Sequence, residues 1–273
     1  MIKRILVALS GTPYTPAAIR YALELAELHG AEVTGVTLID PRRLQDVGAV
    51  PLGGGSAAHE LAAHRLLVTQ RHIEEQIAAF ESACRDSGTR HEVLRETGDT
   101  LDELLSCWRT HDLMILGIRG LFDYGVLHDS DSRLEKLMQS GVRPILAVAE
   151  THRPIHRVLV AYSGSMESAR AMKHFVQMQP WPQIELRLVC FGLDSEEAAP
   201  LLDAAASYCR SHGLEVQTES AAGSPKQELL RYAHASEADL LVLGSTGRSR
   251  LSRLIVGSTT RAAIREADIP LFL

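Results

Sequence analysis

The chain repeats itself, and that fact constrains its fold more than any other. ILVALSGT (5–12) returns as VLVAYSGS (158–165), and GDTLDELL (98–105) returns as GSPKQELL (223–230). DLMILGIRGL (112–121) is echoed by DLLVLGSTGR (239–248), and RPILAV (143–148) by IPLFL (269–273). Four blocks in one order, in units of more than a hundred residues, describe a duplicated domain and not a solenoid. The boundary falls in Glu150-Thr151-His152-Arg153-Pro154, which is polar and contains proline. The units are therefore 1–150 and 154–273. The first is the longer, with its surplus around PRRLQDVGAVPLGGGSAAHELAAHRL (41–66).

Within each unit, short apolar runs alternate with amphipathic segments. KRILVAL and AEVTGVTLI flank TPAAIRYALELAELHG, where Ala18, Tyr21, Ala22, Leu25 and Ala26 share one helical face and Gly30 marks the stop. Strand runs nearly continuous in Val, Leu and Ile imply burial on both faces, hence parallel strands between helices. The expected fold is α/β: two tandem doubly wound, Rossmann-like domains of five parallel strands each. Ligands of such sheets bind beyond the C-terminal ends of the strands. An apolar last strand in each unit would be a hazardous edge. RPILAV and IPLFL are therefore expected to lie side by side, packing the halves as a pseudo-dimer within one chain. Dimerisation of the whole chain is not required by this reasoning.

The segment richest in chemistry is VLGSTGRSRLSRLIVGSTTRAAI (242–264). It sets Gly244, Gly247 and Gly257-Ser258 between a strand end and a helix start. Glycines there let backbone N–H groups approach a ligand, and a helix N-terminus adds its positive dipole end. Ser245, Thr246, Ser258 and Thr259 add hydroxyls, while Arg248, Arg250 and Arg253 add guanidinium groups suited to phosphate oxygens. The bland alternative is a solvated connecting loop. Three glycines at these offsets, interleaved with hydroxyls and arginines, favour phosphate binding.

The pattern Gly244-x2-Gly247-x9-Gly257-Ser258, with VLVAYSGS before it and IPLFL after it, resembles the universal stress protein family, once per half. The resemblance implies a five-stranded adenine-nucleotide-binding α/β fold, of which one branch binds ATP through these glycines. It implies that Gly244, Gly247, Gly257 and Ser258 hold ribose and phosphates. Ser163-Gly164-Ser165 and the end of the second strand, Val189 and Cys190, would hold the adenosine end. Its implied ligand is ATP or another adenine nucleotide, with or without Mg2+, and its implied role is stress-linked signalling or protection.

This sequence departs from the family pattern twice. Ser10 and Ser163 stand where the family usually has Asp, so a charged bidentate acceptor is missing from both turns. The first half also reads LGIRGLFDYGVLHDSDSRLEKLM: Gly117-x2-Gly120 is followed at the next spacing by Ser130-Asp131 and not by Gly-Ser. Asp123, Asp129 and Asp131 bring negative charge where phosphates would sit. One nucleotide per chain, in the second half, is the expectation.

The remaining candidates are weaker. Net charge is −6 with pI near 6.1 and the aromatics are scattered, which argues against nucleic-acid binding. No apolar run approaches the length of a membrane span, and the N-terminal one is too short for a signal peptide. Cys84, Cys107, Cys190 and Cys209 form no CxxC pair and read as reduced, mostly buried thiols of a cytoplasmic protein. His59, His64 and His72 lack the i,i+4 spacing of a zinc pair, so no metal site is expected. Gly53-Gly54-Gly55-Ser56 lacks a following Lys and reads as a mobile loop before a helix. GxSxG is absent, so Ser10 and Ser163 are not hydrolase nucleophiles. Asp112 and Asp239 read as strand-entry residues with structural hydrogen bonds. No catalytic residue is assigned: the glycine loop has no carboxylate or histidine to orient a water, which disfavours efficient hydrolysis. Slow ATP turnover, and an interaction module without nucleotide, are the two rival functions.

Overall fold

The computed structural model describes residues 1–46, 54–122, 124, 132–142, 144–244, 247–248 and 254–273. The first half runs β1 (Arg4–Ala8), α1 (Thr15–His29), β2 (Glu32–Ile39), α2 (Pro41–Gln45), α3 (Gly55–Ser87), β3 (His91–Thr97), α4 (Thr100–Trp108), β4 (Leu113–Gly117), α5 (Ser132–Gln139) and β5 (Ile145–Val148). The second runs β6 (Arg157–Ala161), α6 (Met166–Met178), β7 (Glu185–Phe191), α7 (Ser195–Ser211), β8 (Val216–Ala221), α8 (Pro225–Ala235) and β9 (Leu240–Val242). A small hairpin follows, β10 (Gly247–Arg248) with β11 (Leu254–Ile255), then α9 (Ser258–Glu266) and β12 (Leu271–Phe272).

Ten strands form one sheet in the order β3-β2-β1-β4-β5-β12-β9-β6-β7-β8. Each half contributes five parallel strands, as the repeat implies, and even the register is duplicated. Arg4 pairs with Glu32 as Arg157 pairs with Glu185, and Ile5 pairs with Leu113 as Val158 pairs with Leu240. The seam between the halves is antiparallel: Leu271 faces Ala147 and Phe272 faces Leu146, with the Leu273 and Ile145 backbones exchanging hydrogen bonds of 2.9 and 3.0 Å. Two wholly apolar, buried strands thus lie at the centre. The outer strands β3 and β8 are polar and partly exposed, which blunts both edges.

Every residue of β4 and β5 is buried, so helices must cover both faces there. The five α1 residues expected on one face are all buried. Asp112 and Asp239 play equivalent parts. Each accepts two backbone N–H groups at its strand entry, Lys3 and Arg4 for one (2.7 and 3.0 Å), His156 and Arg157 for the other (3.1 and 2.8 Å).

Side chains also lock the seam. Tyr21 donates its hydroxyl to the Arg153 carbonyl (2.9 Å), and its ring lies 4.3 Å from that of His152. Trp181 donates to Glu24 (2.7 Å), which also meets His152 at 2.7 Å. Arg119 reaches across to the Ala267 carbonyl (3.0 Å) at the end of α9, and Arg261 of α9 pairs with Glu135 of α5 (2.9 Å).

One sequence reading needs correction. Gly55 and Ser56 are not loop: they open the 33-residue α3, with Gly54 at its N-cap, while Gly53 lies outside the described residues. Residues 55–66 of the surplus stretch belong to this helix, which is 33 residues long against the 17 of α7. His59, His64 and His72 fall on α3, where His72 Nδ1 meets the Tyr124 carbonyl at 2.6 Å. Among the described residues no group of His, Cys, Asp and Glu is arranged to hold a metal, and no helix is long and apolar enough to cross a membrane. All four cysteines are free; Cys84, Cys190 and Cys209 are buried.

Candidate functional site

A pocket of about 230 Å³ opens at the C-terminal ends of β6, β7 and β9, against the first turn of α9. Of the residues singled out in the sequence, Ser163, Ser165, Val189, Gly244, Gly257 and Thr259 line it. Residues as distant as Ser163 and Thr259 meet here because parallel strands end on one edge of the sheet.

The turn after β6 is built by its own hydroxyls. Gly164 sits at φ 72°, a left-handed conformation that favours glycine. Ser165 caps α6, accepting from the Ser168 backbone at 3.2 Å, while the buried Ser168 hydroxyl accepts from Ser163 N at 3.3 Å. Gly164 therefore shapes the wall without lining it.

Gly244 and Gly257 are glycines for different reasons. A Cβ on Gly244 would lie 2.7 Å from both Glu167 C and Ser168 N, so the α6 backbone packs directly on the end of β9. A Cβ on Gly257 would meet only Thr260 Oγ1, at 3.9 Å. Gly257 is the N-cap of α9 with extended φ −60° and ψ 149°, and it makes no side-chain cap. Neither fold sterics nor backbone conformation asks for glycine there; open pocket lies in front of it. Thr260 donates to the Gly244 carbonyl at 2.7 Å, tying the helix start to the strand end.

The remaining assignments divide. Ser258 begins α9 and is exposed, outside the lining. Gly247 and Arg248 form β10, paired as Gly247–Ile255 and Arg248–Leu254. Ser245, Thr246, Arg250 and Arg253 lie outside the described residues, as do Asp123, Asp129, Ser130 and Asp131 of the first half. Cys190 is a correction. Strand side chains alternate, so Val189 and Phe191 line the pocket while Cys190 is turned into the core, 1% exposed, with burial pushing its thiol above the usual range.

Sequence reading missed Tyr162, Glu167, Ser168, Phe191, Pro225 and Thr260 in the lining. The period-two rule on β7 could have traded Cys190 for Phe191, and Glu167 stands in the first turn after a recognisable Ser cap. Glu167 matters most: it is an acidic residue in the lining, contributed by α6, although the glycine loop holds none. It has no cationic partner among the described residues.

A Tyr232 ring edge backs Phe191, centroids 5.8 Å apart, so one end of the pocket is apolar and aromatic. The other end offers the α9 N-terminus, where backbone N–H groups and the helix dipole favour an anion. Such a site can hold a flat ring at one end and a phosphate at the other.

The sequence pattern of the universal stress protein family matches residues 1–139 and again 154–273. Universal stress protein Slr1230 of Synechocystis is 25% identical over 284 aligned positions, covering 98% of both chains. Universal stress protein YxiE of Bacillus subtilis is 24% identical and aligns over 97% of its length with 43% of this chain. The crystal structure of a universal stress protein from Archaeoglobus fulgidus superposes with TM-score 0.70 at 21% identity, covering 98% of this chain and 94% of the other.

Proposed function

The chain belongs to the universal stress protein family in both of its halves, and from that premise we propose that residues 154–273 bind one adenine nucleotide. Nucleotide occupancy would act as the switch of a signalling or protective module in the stress response. The observation that carries this reading is Gly257, a capping position with open pocket where a side chain would stand, at a helix N-terminus facing an apolar cleft.

The base fits against Val189 and Phe191, with Tyr162 and Pro225 beside them. The ribose hydroxyls fall to Ser163, Ser165 and Glu167. Serine at position 163 offers one hydrogen bond where a carboxylate would offer two, and Glu167 supplies the missing charged acceptor from the neighbouring turn. Phosphates take the Gly257–Thr260 backbone N–H groups, with Gly257 leaving the approach open, Gly244 holding the strand end against α6, Ser258 and Thr259 adding hydroxyls, and Gly247, Arg248 and Arg253 contributing from the glycine segment.

The test is mass spectrometry of small molecules released from the purified chain, followed by calorimetry with ATP, ADP and AMP. One adenine nucleotide per chain is expected. A chain that releases none and binds none at millimolar concentration is an interaction module, and the proposal falls.

A further inference from the structure

The first half has the same turn as the second, but something already sits on it. Ser10-Gly11-Thr12 follows β1 as Ser163-Gly164-Ser165 follows β6, and the two glycines share left-handed φ values of 65° and 72°. In the second half the three turn residues are exposed. In the first, Ser10 is 1% and Thr12 8% exposed.

Tyr124 makes the difference. A Cβ on Gly11 would lie 2.6 Å from Tyr124 Cδ1 and 3.3 Å from Tyr124 Cα. The phenol oxygen accepts a hydrogen bond of 3.0 Å from the backbone N–H of Leu38 in β2. By the shared register, Leu38 is the counterpart of Phe191, which lines the open pocket of the second half. The ring is 2% exposed, Phe122 packs beside it with centroids 6.2 Å apart, and both residues hold positive φ, 47° and 57°. His72 of α3 fastens the Tyr124 carbonyl.

Two hydroxyls near this ring are orphaned. Ser10 Oγ and Thr12 Oγ1 are buried with no hydrogen-bond partner among the described residues. Buried hydroxyls ordinarily find partners. A turn that presents hydroxyls to a ligand, then has an apolar ring laid over it, leaves them in this state.

We infer that Tyr124 is a built-in occupant of a second heterocycle pocket, and that removing its ring opens the first half to a purine nucleoside. The inference rests on the reading of the second half as an adenine-nucleotide site. The occupant itself indicates the ligand's chemistry: a planar ring with an acceptor at its far edge for Leu38 N–H, which a purine ring nitrogen supplies. Sugar hydroxyls would serve Ser10 and Thr12. The described groups at this turn, two hydroxyls and the Leu38 N–H, match a ring and a sugar, so the class is a purine nucleoside.

Adenosine titrated calorimetrically into the wild type, Tyr124→Gly and Tyr124→Phe tests this. Glycine suits the left-handed backbone at 124, so the substitution removes the ring without adding backbone strain. Tyr124→Gly should bind one more adenosine than the wild type, whether the wild type binds none or one, and Tyr124→Phe should add none. The wild-type count tests the second-half site and the increment tests this one, so their failures are distinguishable. Tyr124→Asn, which also tolerates positive φ, decides the matter if the glycine variant unfolds. A folded Gly or Asn variant with the wild-type count at millimolar adenosine overturns the inference. So does a wild type that already binds two, or unfolding of both variants, which would assign the ring to the structural core.

Discussion

Replacing Gly257 by Asp separates binding from folding. Position 257 is the N-cap of α9, its backbone is extended, and an added Cβ meets nothing closer than 3.9 Å. Asp is among the best N-cap residues and Gly only a few tenths of a kcal/mol behind, so the variant should be at least as stable as the wild type. Fewer unfolded conformations add roughly 0.4–1 kcal/mol in the same direction. Binding should move the other way. The carboxylate would take the Thr259 or Thr260 backbone N–H that a phosphate needs, and would repel the phosphate as well. At about 5 Å the repulsion is roughly 0.8 kcal/mol at the dielectric of water and roughly 3 kcal/mol at an effective value near 20. With the lost hydrogen bond, about 1 kcal/mol more, ATP affinity should fall about twentyfold to a thousandfold. Gly257→Ala isolates the steric part and should lose less. Calorimetry with ATP beside a thermal melt reads both quantities. A folded Gly257→Asp chain that binds ATP within twofold of the wild type would refute the placement of phosphate at α9.

Other substitutions probe the rest of the structure. Gly244→Ala should destabilise the chain by roughly 1–3 kcal/mol, because its Cβ meets the α6 backbone; an unchanged urea midpoint would contradict that packing. Glu167→Gln should weaken ATP binding about fivefold by replacing a charged acceptor with a neutral one, with no change in melting temperature, and equal affinity would remove Glu167 from the ribose site. Separately expressed 1–150 and 154–273 should associate with each other or with themselves through β5 and β12; halves that remain monomeric in light scattering at high concentration would argue against the seam as a stabilising interface. Burial pushes the Tyr21 phenol up to about 12 from 10.0. Its contribution is therefore complete below pH 10 and is lost as pH rises through about 12, roughly 3 kcal/mol in all. Tyr21→Phe should start from a lower plateau and show a shallower alkaline decline in urea midpoint; an identical decline would exclude Tyr21 as its source.

Much of this architecture was legible in the sequence because it is local or repetitive. Apolar runs mark strands buried on both faces, the α1 stripe marks its buried side, and four echoed blocks mark duplication. Even the β5–β12 seam follows from the need to hide two apolar end strands. The glycine spacing marked the strand-to-helix loop for the same reason, since backbone approach and helix start are encoded within a few residues. What each glycine does was not legible. Gly244 and Gly257 look alike in the sequence, yet one makes room for the α6 backbone and the other fronts open space, and only the packing of α6 decides between them. Glu167 and Phe191 reach the pocket because parallel strands bring distant turns to one edge, a relation that periodicity along the chain does not carry. Tyr124 is the extreme case: it lies 113 positions from Gly11 and 86 from Leu38, and both contacts come from tertiary folding alone. Its sequence neighbours suggested a lost phosphate loop; the fold set its ring on the Gly11 turn.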